Sequence, residues 1–407
     1  MTKIDNVSGV DRYLEVLIKE FRKYNFIRVK FIRFIASGDI HFLQISQINP
    51  NMSIYTIPLP CNMENFVKEE YWMKEYFKTV VEKIEPLFDS DEKNIIHIHT
   101  LNLITLAVML RAKYKCKIVT HMHCIPWKSL YNSDRAYFNE LYRGYYYGNP
   151  IFPLVPSNFV LSKEELNSYM ESDSVICVTK SCKNFLTRIV KLKNKVSVVY
   201  NGLPAGNMCS NSEKRQSNRV FTLLYVGDFS ESKGFTFLLQ SLRKVQQQGS
   251  CVKLIAVGKI SGKVKEKIFF QYKELNIYFT GLLSKKEIIP YYKSCDIGII
   301  TSLQEQCSYV ALEMMKYQRP IIVTNVDGLN ELFVNGNNCL MTRVVYTLSD
   351  GLRVDVDNLA HNICVLINNP SLRYTLGKNA NKRFKQNYDS CLMVQKTLNI
   401  YYSLFER

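Results

Sequence analysis

Two glutamates, Glu305 and Glu313, stand eight positions apart in the stretch TSLQEQCSYVALE, residues 301–313. An apolar, β-branched run (297–300) feeds into it, and a helical pattern over 309–317 leaves it. A strand, a tight turn and a helix start form the place where open α/β sheets bind ligands, at the carboxyl ends of their strands. Ser308 sits at the N-cap position, which leaves the amides of Tyr309 and Val310 facing the crevice. Such a helix start favours an anion. A carboxylate on the turn and another in the second helical turn add acceptors suited to paired sugar hydroxyls. A matching turn lies upstream. FTLLYVG (221–227) reads as a buried strand ending in Gly227, DFSESK follows, and Gly234 opens a helix over 235–247. Lys233 in that turn can bring its ammonium to a diphosphate in the same crevice. Outside such a context a lone lysine reads as a solvated surface group.

Four of the six histidines lie in two strand-like runs, NIIHIH (94–99) and KIVTHMH (117–123). The period of two puts His97 with His99, and His121 with His123, on one face of their strands. Two such pairs on neighbouring strands could bring four nitrogens to a metal. The strands read as buried and no carboxylate follows to orient the rings, so the expectation is no metal site. His123 ends its strand and so reaches the crevice; the plain alternative is a core or capping histidine. Gly9 opens a helix with Val10, Tyr13, Leu14, Leu17, Ile18 and Phe21 apolar, and a glycine there lets a ligand approach the backbone closely.

The elements that position these residues alternate along the chain. Strands are expected at 29–36, 53–57, 94–99, 117–123, 174–179 and 195–200, with helices at 63–88, 101–114, 161–170 and 182–191 between them. Strand–helix–strand order means parallel, right-handed βαβ units. Unusually for an α/β domain, no clear strand precedes Gly9. Residues 127–148 are rich in Tyr, Phe and Arg. They read either as a cover over an acceptor or membrane surface, or as an aromatic packing layer. Asn201–Gly202 turns the chain out, and the polar stretch 203–219 reads as a connector. The second half repeats the alternation through strands at 252–258, 277–281, 297–301, 320–326 and 339–342. Gly227, Gly258 and Gly281 all end strands and are expected to line one rim. The organisation expected is a first Rossmann-like domain (1–202), a linker (203–219), a second Rossmann-like domain (220–385) and a C-terminal helix (386–407) packing back on the first.

A chain of 407 residues is too long for one ordinary core. Its longest apolar run, near 101–110, is far short of the roughly 20 residues of a membrane span, and no N-terminal signal pattern is present. A cytoplasmic protein is expected. Twelve cysteines without a C-x-x-C pair, many in apolar runs, read as buried reduced thiols. The net charge of +17 is spread over both halves. Attraction to nucleic acid, attraction to anionic lipid or substrate, and a merely basic surface all remain readings of it.

Several segments together resemble the retaining, GT-B-fold, nucleotide-sugar-dependent glycosyltransferases of family 4. YVGDFSESKG (225–234) resembles their phosphate-binding turn, and the segment from Glu305 to Met341 their E-x7-E block and its sequel. VICVTKSCKNFL…KVSVVYNG (175–202) is similar to the end of their first domain, VTHMH (119–123) to their histidine strand, and SGVDRY (8–13) to their glycine loop. The resemblance covers essentially the whole chain and implies two Rossmann-like domains facing across a cleft. It also implies roles. Glu313 would accept from the donor ribose and Glu305 from the transferred sugar. The amides of Cys307, Ser308, Tyr309 and Val310 would meet the sugar and diphosphate. Lys233 would neutralise the departing diphosphate, Gly9 would close on it, Gly227, Gly258 and Gly281 would border the donor, and His123 would contact the donor sugar. No cofactor or metal is implied, only a nucleotide diphosphate sugar linked to UDP or GDP. The acceptor would be a lipid-linked or other cell-surface glycan, and the basic surface would suit peripheral contact with the inner membrane face. Alternatives are a peptide or protein acceptor, or nucleotide-sugar binding with weak catalysis. Nucleic-acid binding rests on charge alone and is not expected. One departure stands out: the family usually carries arginine directly after the glycine of the phosphate turn, and here that position is Asp228.

Overall fold

The structure is a computed structural model, and it describes residues 9–35, 42–59, 70–88, 93–125, 128, 135–147, 163–188, 191–192, 194–206, 220–347 and 350–406. Helix α1 (Gly9–Phe21) opens it. Strands β1 (Val29–Ile35), β2 (Gln44–Asn49) and β3 (Met52–Pro58) follow, then α2 (Glu70–Ile84). β4 (Asn94–Ile98), α3 (Ile104–Lys113), β5 (Cys116–Met122), α4 (Arg135–Tyr147), α5 (Lys163–Glu171), β6 (Ser174–Cys177), α6 (Lys180–Arg188) and β7 (Val196–Val198) complete the first half. Among the described residues, the strands of this half make two sheets. β4-β5-β6-β7 is parallel throughout, while in β1-β3-β2 the strand β2 runs antiparallel to β3.

The second half contains β8 (Phe221–Val226), α7 (Phe235–Gln247), β9 (Val252–Val257), α8 (Gly262–Gln271), β10 (Asn276–Gly281), α9 (Ile289–Ser294) and β11 (Ile297–Ile300). It continues with α10 (Tyr309–Lys316), β12 (Ile321–Thr324), α11 (Leu329–Leu332), β13 (Leu340–Thr342), the hairpin β14 (Val344–Thr347) and β15 (Gly351–Val354), and α12 (Val356–Asn368). Two helices close the chain, α13 (Pro370–Asn387) and α14 (Ser390–Ser403). The sheet runs β10-β9-β8-β11-β12-β13, every pair parallel. That is the doubly wound order in which the winding reverses between the first and fourth strands, here β8 and β11, and the crevice opens at their carboxyl ends. Both strands are apolar because helices cover both faces. β11 and β12 are buried at every position, so they read as continuous runs and do not alternate.

Side-chain periodicity explains the packing. On α2, Phe77, Val80, Val81 and Ile84 recur at helical spacing and are buried with Leu106 and Leu110 of α3 beside β3. Each such side chain contributes about 1.5–3 kcal/mol by leaving water. α14 returns to the first half and packs along α1. There Ser390 donates to the buried Glu20 at 3.0 Å, and Lys23 pairs with the same carboxylate. The start of the connector is pinned at the same seam. Leu203 donates to the Tyr388 carbonyl at 3.0 Å, and Ser390 donates back to the Leu203 carbonyl at 3.1 Å. Residues 207–219 of the expected connector lie outside the described residues.

Some expectations need correction. β2 and the β14–β15 hairpin were not foreseen. β2 is exposed at its first four positions, so no apolar alternation marks it. The expected helix at 63–88 is described as helix from Glu70 only, and 60–69 lie outside the described residues. The sequence also reads as a helix over 285–294, and the observed helix begins only at Ile289, with Pro290 in its first turn, where the missing N–H costs nothing. Within 127–148, α4 buries Phe138 and Leu141 and stacks Tyr142 on Tyr346 at 5.5 Å, so this part is a packing layer. Residues 1–8, where a first strand was missed, are not among those described.

Candidate active site at the sheet switch point

The crevice at the carboxyl ends of β8 and β11 brings together the residues that the sequence singled out in the second half. Gly227 donates to the Val257 carbonyl and Gly258 to the Gly281 carbonyl, each at 3.0 Å, so the three strand-end glycines adjoin on one rim. A Cβ at Gly258 would lie 1.9 Å from the Gly227 carbonyl oxygen, so the strand ends meet this closely only without side chains. Gly234 is also obligatory. Its φ is +66°, and a Cβ there would lie 2.1 Å from the Thr301 carbonyl oxygen. Two more contacts lock the β8 turn onto the β11 turn: Thr301 donates through Oγ1 to the Lys233 carbonyl at 2.9 Å, and Leu303 donates to the Ser232 carbonyl at 2.8 Å.

Lys233 is thereby held over the second turn, and its Nζ lies 2.9 Å from Glu305 Oε2. Glu305 also accepts from Ser302 Oγ and from the Gln306 amide, both at 3.4 Å. The Glu305 charge is the main cause that holds the Lys233 pKa above its ordinary value, with burial opposing it. Asp228 turns its carboxylate into its own loop: Oδ1 accepts from the Ser230 amide at 2.9 Å, and its carbonyl accepts from the Tyr225 hydroxyl at 2.6 Å. The acidic side chain at the arginine position is therefore tied down by the turn.

Ser308 caps α10 as expected, accepting from the Ala311 amide at 3.3 Å, while Leu312 donates to the Ser308 carbonyl. The amides of Tyr309 and Val310 have no acceptor within the helix. Cys307 faces the seam between the two halves instead. Its sulfur accepts from the Asn201 amide at 3.3 Å and its carbonyl from Asn201 Nδ2 at 2.8 Å, and burial pushes its thiol pKa up.

Glu313 shows what the sequence did not. Its Oε1 accepts from Arg12 Nη2 at 3.2 Å, and its Oε2 from the Tyr292 hydroxyl at 2.7 Å. Arg12 lies on α1 in the opposite half, so this pair spans the cleft, and Glu15 of the same helix pairs with Lys285 across it. The signal was available: Arg12 follows Gly9 by three positions on the helix start that the resemblance placed at the donor. At Gly9 itself a Cβ would meet nothing within 4 Å, so that side of the helix start is open.

His123 joins a different group. Its Nε2 lies 3.2 Å from His99 Nδ1, and His121 Nδ1 lies 3.3 Å from His97 Nε2. Tyr13 of α1 packs on His99, His121 and His123, with centroids 5.4, 4.5 and 5.1 Å away. Burial lowers the His123 pKa to about 4 and that of His97 to about 3, so both rings are neutral near pH 7. Tyr309, at the start of α10, lies within electrostatic reach of Tyr13, Arg12 and Glu313, and burial raises its hydroxyl pKa. Tyr13 thus packs on the imidazole group and is near enough to the start of α10 to influence Tyr309.

The seam beside the site is polar and also went unforeseen. Glu331 accepts from the Lys180 and Ser181 amides at 2.7 and 2.8 Å, capping α6 from the other half, and from the Tyr200 hydroxyl at 2.8 Å. Gln306 accepts from the Thr179 hydroxyl at 3.0 Å, and Lys128 pairs with Asp327 at 2.7 Å.

This architecture is the GT-B fold: two Rossmann-like halves with the site between them. Residues 7–205 match the family described as Glycosyltransferase Family 4, and residues 220–369 match Glycosyl transferases group 1. The chain belongs to this glycosyltransferase family. An uncharacterized glycosyltransferase of Methanocaldococcus jannaschii is 30% identical over 54% of this chain and 58% of its own length. The capsular polysaccharide biosynthesis glycosyltransferase CapM of Staphylococcus aureus is 24% identical over 60% and 65%. The chain therefore spans about three fifths of the length of these curated relatives. Among solved structures, the sucrose-phosphate synthase of Thermosynechococcus elongatus superposes with a TM-score of 0.73 at 17% identity, covering 98% of this chain and 94% of its own. Anabaena HepE in complex with UDP-glucose gives 0.64 at 16%, covering 98% of this chain and 97% of its own. Among the described residues, no helix is long and apolar enough to cross a membrane.

Proposed function

We propose that the protein transfers a sugar, with retention of anomeric configuration, from a nucleotide diphosphate sugar to an acceptor in the assembly of a cell-surface glycan or glycolipid. The observation that carries this reading is the pair of carboxylate–cation contacts flanking the start of α10, Lys233–Glu305 and Arg12–Glu313. Each can exchange partners when a donor enters. Ribose hydroxyls donate to Glu313 in place of Arg12, and sugar hydroxyls donate to Glu305 in place of Lys233. Both cations are then released toward the diphosphate, beside the amides of Tyr309 and Val310. The bond from the anomeric carbon to the β-phosphate oxygen breaks and a bond to the acceptor oxygen forms on the same face. The acceptor's proton passes to a phosphate oxygen. Negative charge grows on the leaving diphosphate, so Lys233 stabilises the transition state more than the ground state. Glu305 is a sugar-binding group here, and His123, neutral, contacts the donor sugar. Polysaccharide assembly as the setting draws on the printed names of relatives such as CapM.

The test is a thermal-shift panel of UDP-, GDP- and ADP-sugars followed by donor turnover without acceptor. A donor at about 100-fold its dissociation constant adds roughly 2.7 kcal/mol of stability. Stabilisation by one donor class, with slow nucleotide release, is the expected result. No nucleotide release from any donor, with or without glycan acceptors, would overturn the enzymatic reading.

A further inference from the structure

The four-histidine group is larger than the donor reading needs, since that reading uses His123 alone. We infer that His97, His99 and His121, with His123 as the adjoining fourth ring, form a binding site for one borderline divalent transition cation of the zinc class. One potential ligand nitrogen from each of His97, His99 and His121 can be chosen so that all three lie within 4.8 Å of one another. The parallel pairing of β4 with β5 creates this arrangement. His97 sits opposite Val119, so the same-face positions 97, 99, 121 and 123 follow one another across the two strands.

The distances suit a metal. Zinc–imidazole bonds of 2.0–2.1 Å in a tetrahedron put the nitrogens about 3.3–3.4 Å apart, and the two inter-ring contacts are 3.2 and 3.3 Å. His97 also has the outer partner that such ligands need. Its Nδ1 lies 2.6 Å from the Tyr401 hydroxyl on α14, so an Nδ1–H donated there leaves Nε2 with its lone pair directed at His121. His121 Nε2 is buried with no hydrogen-bond partner among the described residues, and it is the other nitrogen through which that ring could bind. His97, His99 and His123 are only partly buried. An all-imidazole donor set suits zinc, copper, nickel or iron, and disfavours magnesium or calcium, which take oxygen.

Cation binding is independent of the transfer reading, so the experiment reads binding directly. The untagged full-length chain, stripped with chelator, is titrated with zinc by calorimetry and with cobalt(II) by visible absorption. The expected result is one zinc per chain and the intense ligand-field bands of tetrahedral cobalt. His97→Gln and His99→Gln should each weaken zinc at least about tenfold, and Tyr401→Phe about tenfold, as loss of an outer partner does. His361→Gln, at an exposed histidine on α12, should change nothing. Metal-free melting curves show whether the variants fold, and the wild-type cobalt spectrum requires no variant at all. Absence of tetrahedral cobalt bands, or zinc binding unchanged by the cluster substitutions, would overturn the site and leave the rings paired with one another only.

Discussion

The two walls of the cleft are built in opposite ways. The second half presents backbone: strand-end glycines at 227, 258 and 281, the open amides of α10, and a lysine held by a turn in which no Cβ fits at Gly234. The first half presents side chains: the imidazoles of β4 and β5, Tyr13 over them, and Arg12 reaching across to Glu313. A wall of backbone and short turns has few ways to move, so its chemistry is preset. A wall of rings and one long guanidinium carries its chemistry on groups that can exchange partners. In the proposed reading, the second half then holds the diphosphate, the ribose and the sugar hydroxyls on Glu305, and the first half adds the His123 contact and the Arg12 reach that closes the cleft.

Substitutions on the two walls should therefore differ in kind. Lys233→Ala removes the preset cation, and kcat should fall by about 10²–10³-fold with a smaller change in KM, as when one transition-state donor is lost. An unchanged rate in initial-velocity assays would break the assignment of the second half. Glu313→Ala should weaken the donor about 10- to 100-fold by calorimetry, since hydrogen bonds to a charged group contribute about 1.5–3 kcal/mol. Arg12→Ala tests the opposite wall. Its expected cost is about tenfold in kcat/KM, with a shallower salt dependence of donor binding because one mobile cation is gone. If Arg12→Ala instead tightened the donor, the arginine would be a competitor for Glu313 and not a partner of the diphosphate.

Asp228→Arg sharpens the same contrast with a smaller effect. Its new charge on a solvated turn should improve donor affinity about twofold to fivefold, offset by loss of the Ser230 contact. The weakest expected effect is on stability against pH. Folding holds His97 and His123 below the ordinary value of about 6.5, so the unfolded chain takes up protons first. Stability from these rings is full above about pH 6.5 and is lost as pH falls toward 4. Urea midpoints should decrease from pH 7 to pH 5, and the decrease should be smaller in His97→Gln.

The second half was legible because its signals are local. A buried strand ending in glycine, a short turn and a capped helix lie within a dozen residues of one another, and Lys233, Ser308 and the two glutamates sit inside those units. The edge strand β2 and the β14–β15 hairpin lacked such signals, because exposed or half-exposed strands need no apolar alternation. The partners of Arg12, Glu331 and Gln306 were illegible for another reason. Each residue gains its partner only across the seam, from 301, 150 and 127 positions away in sequence, and no spacing rule reaches that far.

The sequence by itself determined the two doubly wound halves, the phosphate-type turn with Lys233, and the E-x7-E pair on a capped helix. Those follow from residue type, period and turn chemistry over short spans. Tertiary structure alone decided the rest. It turned the Asp228 carboxylate into its own loop and gave Glu313 a guanidinium from the other half. It also stacked four histidines into one group through the register of two parallel strands. The first depends on hydrogen bonds inside the turn, the second on packing across the cleft and the third on the pairing of β4 with β5, and none of these is set by residue type and spacing alone.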